Sequence, residues 1–331
     1  MAKGRKWVLL KHFDGFPQRT DLEIQEFDIP EVKDGEVLIT TAVLTVDPYM
    51  RGWTMSAKIG DTMFGEIVGK VTASKDPAIK VGDYAQAYAG WVTHAVVNGK
   101  QTQRIPELPE GVPLTLTVGT LGMPGLTAYF GLKEVAQLKE TDTVLVNAAA
   151  GAVGSVVGQI AKIKGCKVIG SVGSDEKVKY LKEELGFDEA YNYKVVTPDK
   201  LGDELKKLAP NGIDVFFENV GGEASSVIYS HINQKGRVAV CGSISSYNVK
   251  GDKPKVTEFI HLLIYKSIRV EGFNVMTYFA RRDDALKEMV VWLKEGKLKY
   301  REHKFENFES MFDAFAALFT GQNTGKVVVT V

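Results

Sequence analysis

The sequence predicts an α/β protein of two domains, a doubly wound parallel sheet of six strands and a mainly β domain, and three observations carry that expectation. A wholly apolar run, Val144, Leu145 and Val146, passes through small residues into a segment with apolar positions at helical spacing, Val153, Val157, Ile160 and Ala161. A strand buried on both faces reads this way when it feeds a crossover helix. Five further short apolar runs then alternate with helical patterns, the cadence of a doubly wound sheet. Ahead of them, residues 6 to 121 carry only short strand-like runs punctuated by Gly, Pro and Asp. At 331 residues the chain exceeds one ordinary core, which fits two domains.

In the first part, residues 7–10, 22–28, 36–46, 65–71, 84–88 and 91–97 read as strands. Val37, Ile39 and Thr41 alternate with Leu38, Thr40 and Ala42, and both sets are largely apolar, so a curled, partly buried module is expected rather than an open meander. Between the strands lies Val46-Asp47-Pro48-Tyr49-Met50-Arg51-Gly52. Such a loop either lines a site or makes an Asp-Pro turn, and composition leaves both readings open. Gly122, Met123, Pro124 and Gly125 precede a helix expected through Lys133 to about Leu138. The domain boundary is placed there, with 1–122 and 300–331 forming the mainly β domain and 123–299 the nucleotide-binding one.

The turn Ala149-Ala150-Gly151-Ala152-Val153-Gly154 fits G-x-G-x-x-G with Ala149 in the first glycine position. Small residues there let backbone approach a pyrophosphate, whose charge meets the free N–H groups of the helix start; close strand–helix packing alone would select the same residues. Strands follow at 167–172, 190–193, 213–218, 237–241 and 267–273. Ser174 caps a helix over 175–185, and Pro198 opens another. The fourth strand leads into Asn219-Val220-Gly221-Gly222 and the fifth into Gly242-Ser243, polar or small residues where a dinucleotide lies in this topology. Helices over 281–295 and 308–318 come next. The β-branched closing strand, 326–331, needs a partner and is expected in the N-terminal module.

A fold that prefers NAD carries an acid at the end of the second strand, where this chain reads Ser171-Val172-Gly173-Ser174. Lys177 follows, with Tyr193 closing the third strand, so NADPH is favoured, because a carboxylate there would repel the 2′-phosphate. The other reading makes Lys177 a solvated helix residue and gives the acid's role to Asp175. His12, His94, His231, His261 and His303 are scattered, and Cys166 and Cys241, placed inside strands, have no metal-ligand neighbour; no zinc site assembles. No G-x-S-x-G occurs. Metal-free hydride transfer remains, and it suits conjugated carbonyls, since attack at the β-carbon leaves an enolate that ordinary hydrogen-bond donors stabilise. Forty-one basic residues balance 41 acidic ones, giving no field for nucleic acid or an anionic membrane. No run is long enough to span a bilayer, no signal sequence is expected, and two cysteines suit a reducing compartment; a cytoplasmic protein is expected.

Residues 46–52, 122–129, 147–159, 173–177, 219–222 and 241–247 together resemble the medium-chain dehydrogenase/reductase superfamily, and within it the vertebrate prostaglandin reductase (leukotriene hydroxydehydrogenase) family. The resemblance covers nearly the whole chain. It implies a GroES-like β domain and a Rossmann domain, no zinc, and NADPH-dependent reduction of 15-oxo-prostaglandins, alkenals and alkenones, with oxidation of a leukotriene alcohol as a related activity. It also implies cofactor contacts from Ala152, Val153, Gly154 and Ser155 at the pyrophosphate and from Lys177 and Tyr193 at the 2′-phosphate. Asn219, Cys241, Gly242, Ser243, Ile244, Ser245, Ser246, Tyr247, Phe273, Asn274, Val275 and Asn323 would complete them. Tyr265 would be the proton donor or orienter, and Tyr49 and Met123 would line the substrate site. A homodimer is expected from the apolar stretch 256–264 and the sixth strand, 268–270, although core packing would select the same residues. Two other readings are a quinone reductase of the same superfamily and a non-enzymatic, crystallin-like or RNA-binding protein that binds NADPH, the RNA case opposed by the neutral charge.

Overall fold

The computed structural model describes residues 2–251 and 258–331; Val256, part of the expected dimer surface, lies outside them. In chain order the first elements are β1 (Lys3–Leu9), β2 (Leu22–Asp28), β3 (Glu36–Thr45), the short helix α1 (Met50–Trp53), β4 (Ile67–Ser74), β5 (Tyr84–Ala87), β6 (His94–Asn98) and β7 (Gln103–Ile105). There follow α2 (Met123–Phe130), β8 (Thr143–Val146), α3 (Gly154–Ile163), β9 (Lys167–Val172), α4 (Asp175–Lys179), β10 (Glu189–Asn192), α5 (Pro198–Leu208) and β11 (Ile213–Glu218). The chain continues with α6 (Gly222–Ser230), β12 (Ile232–Val240), α7 (Ile260–Lys266), β13 (Arg269–Gly272), α8 (Arg282–Lys294), β14 (Glu302–Glu306), α9 (Met311–Thr320) and β15 (Lys326–Thr330).

Two compact units result. The first takes the described residues of Met1–Val118 with Glu302–Asn323 and Val327–Val331, and the second takes Gly119–Arg301 with Thr324–Lys326. In the first unit, strands run in the order β14-β15-β3-β4-β5-β7, with β6 also on β3, beside a β1-β2 pair. The closing strand β15 lies antiparallel to β3, Val329 opposite Leu44, which buries Val327, Val328 and Val329. Apolar residues on both faces of β3 are explained by packing on both sides, as Val37, Ile39 and Leu44 lie in one core cluster and Val43, with Ala42, in another. Trp7 and Trp91 meet edge to face at 6.4 Å, and the Trp7 indole donates to the Phe308 carbonyl at 3.0 Å. A buried indole thus has its polar end satisfied while its area fills the core.

The second unit is a parallel sheet in the order β10-β9-β8-β11-β12-β13. Its central strands bury Val144, Leu145, Val146, Phe216 and Phe217 completely, as helices on both faces require. The order reverses between β8 and β11, and in such sheets the ligand crevice opens outside the carboxyl ends of those strands.

Several expectations need correction. Helix α2 begins at Met123, before Pro124, which sits in its first turn where its missing N–H is not needed. Strands β7 and β14 escaped the pattern, being short or, for Glu302-His303-Lys304-Phe305-Glu306, too polar to read as a strand. Strand β12 starts at Ile232 rather than Arg237: Ile232 pairs with Ile213, and the polar residues 233–236 fall in an irregularity before Arg237 pairs with Val215. Cys166 and Cys241 flank β9 and β12 instead of lying inside them.

Candidate active site

The turn after β8 is built by backbone contact. A Cβ on Gly154 would fall 2.5 Å from the Ala148 carbonyl and 2.8 Å from the Ala149 Cα, so only glycine lets α3 start this close to its strand. Ala148, next to the position matched to the first glycine, takes a left-handed φ of 48°. Ala149 donates to the Ser171 carbonyl at 3.0 Å, tying the turn to the end of β9. The Ser155 N–H bonds the Gly151 carbonyl at 3.1 Å, while the N–H groups that open a helix have no intrahelical acceptor. Ala152, Val153 and Gly154 therefore present an anion-receptive helix start. The Gly325 N–H reaches the Ala150 carbonyl at 2.7 Å, bringing the chain two residues beyond Asn323 against this turn.

At the end of β9, a Cβ on Gly173 would lie 2.9 Å from the Tyr193 hydroxyl, so the phenol rests against the glycine. Ser174 caps α4, its hydroxyl accepting from the Lys177 N–H at 3.3 Å. The Lys177 ammonium is held below the usual lysine range, by burial first and then by Lys194. No acid occupies the strand end; Asp175, the alternative acid, accepts from the Asn192 amide at 2.9 Å. A half-buried cation facing another cation is the environment that an incoming phosphate relieves. The glycine cradle at 154 and this basic pocket fit NADPH.

After β11, the buried Glu218 carboxylate accepts from the Asn147 side chain at 2.6 Å and from the Val220 and Gly221 N–H groups at 2.7 and 2.8 Å. Asn147 in turn accepts from the Asn219 N–H at 2.6 Å, and the Asn219 amide donates to the Asn147 carbonyl at 2.9 Å. The segment after β12 braces the same turn. Cys241 and Gly242 donate to the Glu218 carbonyl, Ile244 to that of Asn219 and Ser245 to that of Val220. Ser243 and Ser246 join through their hydroxyls at 2.9 Å, and the Tyr247 hydroxyl accepts from the Ser243 N–H at 3.3 Å. Burial first, then Glu218, pushes the Cys241 thiol up to about 12, which keeps it protonated. Asn219 and residues 241–247 thus come together. Asn147 and Glu218 were absent from the expected set, because a buried Asn–Glu pair leaves no spacing signature in sequence.

Phe273 extends β13 by donating to the Val240 carbonyl at 3.3 Å, with its ring edge on Phe217 at 6.1 Å. Asn274 caps the following turn through its side chain, accepting from Met276 at 3.0 Å, and Val275 is buried. Met123 opens α2, its carbonyl accepting from the Thr127 hydroxyl at 2.8 Å. Tyr265 lies in the last turn of α7 and is 79 % exposed, beside the exposed Ile264; burial does not draw it to the turns above.

In the first unit, Tyr49 starts α1 and is 36 % exposed. It packs edge-on to Phe64 at 6.1 Å, and Trp53, Phe64 and Tyr88 stack in series at 5.6 and 5.7 Å. Burial of its hydroxyl, with a lesser push from Asp47, raises Tyr49 well above the usual phenol range. This is a flat aromatic wall suited to an apolar, conjugated ligand. His94 bonds Thr93 through Nδ1 at 3.0 Å.

These features define a two-domain, dinucleotide-dependent oxidoreductase. The family model for the N-terminal domain of oxidoreductases matches residues 5–105, and that described as zinc-binding dehydrogenase matches 152–295. The chain is 47 % identical to prostaglandin reductase 1 of Sus scrofa over 331 residues, 99 % of each chain. It is 41 % identical to the NADP(+)-dependent 2-alkenal reductase of Nicotiana tabacum over 342 aligned positions, 98 % of this chain and 97 % of the relative. The crystal structure of CurA from Vibrio vulnificus in complex with NADPH superposes with a TM-score of 0.92 at 38 % identity, covering 99 % of each chain. The chain belongs to the medium-chain dehydrogenase/reductase family, in the branch that holds the prostaglandin and alkenal reductases. Among the described residues no three His, Cys, Asp or Glu side chains gather as a metal site would need. Nor is any described helix long and apolar enough to cross a membrane.

Proposed function

We propose that this protein is an NADPH-dependent reductase of the conjugated carbon–carbon double bond of α,β-unsaturated ketones and aldehydes, including 15-oxo-prostaglandins and alkenals. The observation that carries the cofactor choice is the end of β9, where the acid is missing, Tyr193 rests against Gly173, and a half-buried Lys177 feels the charge of Lys194. NADPH supplies the hydride, which goes to the β-carbon of the substrate. The chain's own part is to bind the pyrophosphate at residues 152–155, to hold the 2′-phosphate at Lys177 and Tyr193, and to seat the nicotinamide half near Asn219, residues 241–247, Phe273 to Val275 and Asn323. Tyr49 and Met123 line the substrate, and Tyr265 donates or orients the proton that completes reduction at the α-carbon. Loss of nicotinamide absorbance on mixing with NADPH and a 15-oxo-prostaglandin or a medium-chain enal tests this. Turnover with quinones but with no enone would replace it by a quinone reductase, and cofactor binding without any turnover would replace it by a non-enzymatic role.

The remaining parts of the proposal are finer. The enzyme works without zinc in the cytoplasm and oxidises leukotriene alcohols with NADP in the reverse sense. It forms a homodimer through the edge of β13, which is the outermost strand among the described residues and where Val270 and the α7 residues Ile260 and Ile264 are exposed. An unpaired strand edge next to exposed apolar side chains is what a two-fold partner covers. Light scattering tests the dimer: Val270→Lys should give a monomer, and an unchanged dimer would move the interface elsewhere.

A further inference from the structure

We infer that Glu218 and Asn147 are positioning residues, a buried pair that templates the turn 219–221 so that it receives the nicotinamide half of the cofactor. This rests on the NADPH reading above. Asn147 follows β8 and Glu218 ends β11, the two neighbouring strands between which the sheet order reverses, so both stand at the floor of the ligand crevice. They are only 4 % and 3 % exposed. Burying a carboxylate is costly unless donors surround it, and here three N–H groups from neutral donors converge on one oxygen at 2.6 to 2.8 Å, the length of charge-assisted bonds.

Two of those donors are the backbone of Val220 and Gly221. Gly221 and Gly222 take φ of 72° and 79°, a region that glycine enters freely but does not hold by itself. The carboxylate supplies the missing restraint. Asn147 extends it by one residue, bonding both the Asn219 N–H and its side-chain amide, which aims the Asn219 side chain. Through the carbonyls of Glu218, Asn219 and Val220 the same turn fixes residues 241–245. One buried carboxyl group therefore sets the backbone on both sides of the crevice floor, whereas the 2′-phosphate pocket at Gly173, Lys177 and Tyr193 is built from different strands and different bonds.

That separation gives the test. Affinities for NADPH and for 2′,5′-ADP, which carries the adenine and 2′-phosphate end but no nicotinamide, are measured by titration for the wild type and Glu218→Gln. Removing the charge should weaken NADPH about tenfold, the size of one charged hydrogen bond, and leave 2′,5′-ADP within about twofold, the coupling expected between independent sites. Equal weakening of both ligands, or unchanged NADPH affinity, would overturn the inference, since the first is a general structural defect and the second no role at all. Asn147→Ala carries the same comparison if Glu218→Gln does not fold. Wild-type protein that binds neither ligand would instead overturn the cofactor reading itself.

Discussion

The two strand-to-helix turns at the switch point, after β8 and after β11, are both rich in small residues and are held in opposite ways. In the first, glycine is required by space: a Cβ on Gly154 would strike the Ala148 carbonyl at 2.5 Å. In the second, glycine is required by conformation. A Cβ on Gly222 would meet nothing closer than the Ser245 hydroxyl at 3.2 Å, yet its φ is 79°, and a carboxylate rather than packing fixes the path. The first turn is therefore intolerant of bulk, and the second of lost hydrogen bonds.

The largest effect should come from breaking the first turn. Gly154→Ala pushes a methyl into main chain that has no rotamer to escape with, costing about 1–3 kcal/mol, which outweighs the ~1 kcal/mol that alanine gains in a helix. We expect loss of NADPH binding as the helix start moves off the pyrophosphate. Full retention of cofactor affinity would mean that the turn is a packing device only.

Next is the basic pocket. Lys177→Ala should raise the KM for NADPH by about 10- to 100-fold, the value of a charge-assisted contact, and leave NADH turnover nearly unchanged. The pH sign follows from the lowered Lys177. Below its folded pKa the lysine is charged and binds phosphate; as pH rises through that value the charge and the NADPH affinity are lost together, while a bound phosphate draws the pKa back up. Parallel pH profiles for NADPH and NADH would contradict this assignment.

How much of this was legible follows the same division. The β8 turn, the missing acid at Ser171 to Ser174 and Lys177 could be read because small residues, strands and charges recur at fixed spacings. Asn147 and Glu218 lie 71 residues apart, and their meeting depends on β8 and β11 becoming neighbours, which chain order alone does not reveal. Strand β14 was hidden for a related reason: its polar residues form a strand only because the closing hydrophobic strand β15 lies beside it. The aromatic series Trp53, Phe64 and Tyr88 was likewise scattered over three segments.

Tyr265 belongs to neither turn, and its substitution should cost less than theirs. Removing a general acid lowers rate by about 10²–10⁴-fold, but a phenol that is 79 % exposed can be replaced by water, so Tyr265→Phe should fall below that range, at about tenfold or less. The measurement is kcat with an enal at saturating NADPH. An unchanged kcat would remove Tyr265 from the site and point to another donor.

The smallest effect sharpens the comparison from the other side. Ala148 holds φ at 48°, a conformation that costs a residue with a Cβ about 1–2 kcal/mol, and it is only half-buried, so its methyl contributes little packing. Ala148→Gly removes that strain, although glycine loses about 0.5–1 kcal/mol more entropy on folding. The balance is a gain between zero and about 1.5 kcal/mol, read as a small rise in the denaturant midpoint at unchanged NADPH affinity. The strain then belongs to the backbone path that Gly154 imposes, and a turn fixed by packing keeps its shape when the strain is relieved. If the variant instead weakens cofactor binding, the Ala148 methyl is holding the turn, and the first turn depends on a side chain as the second does.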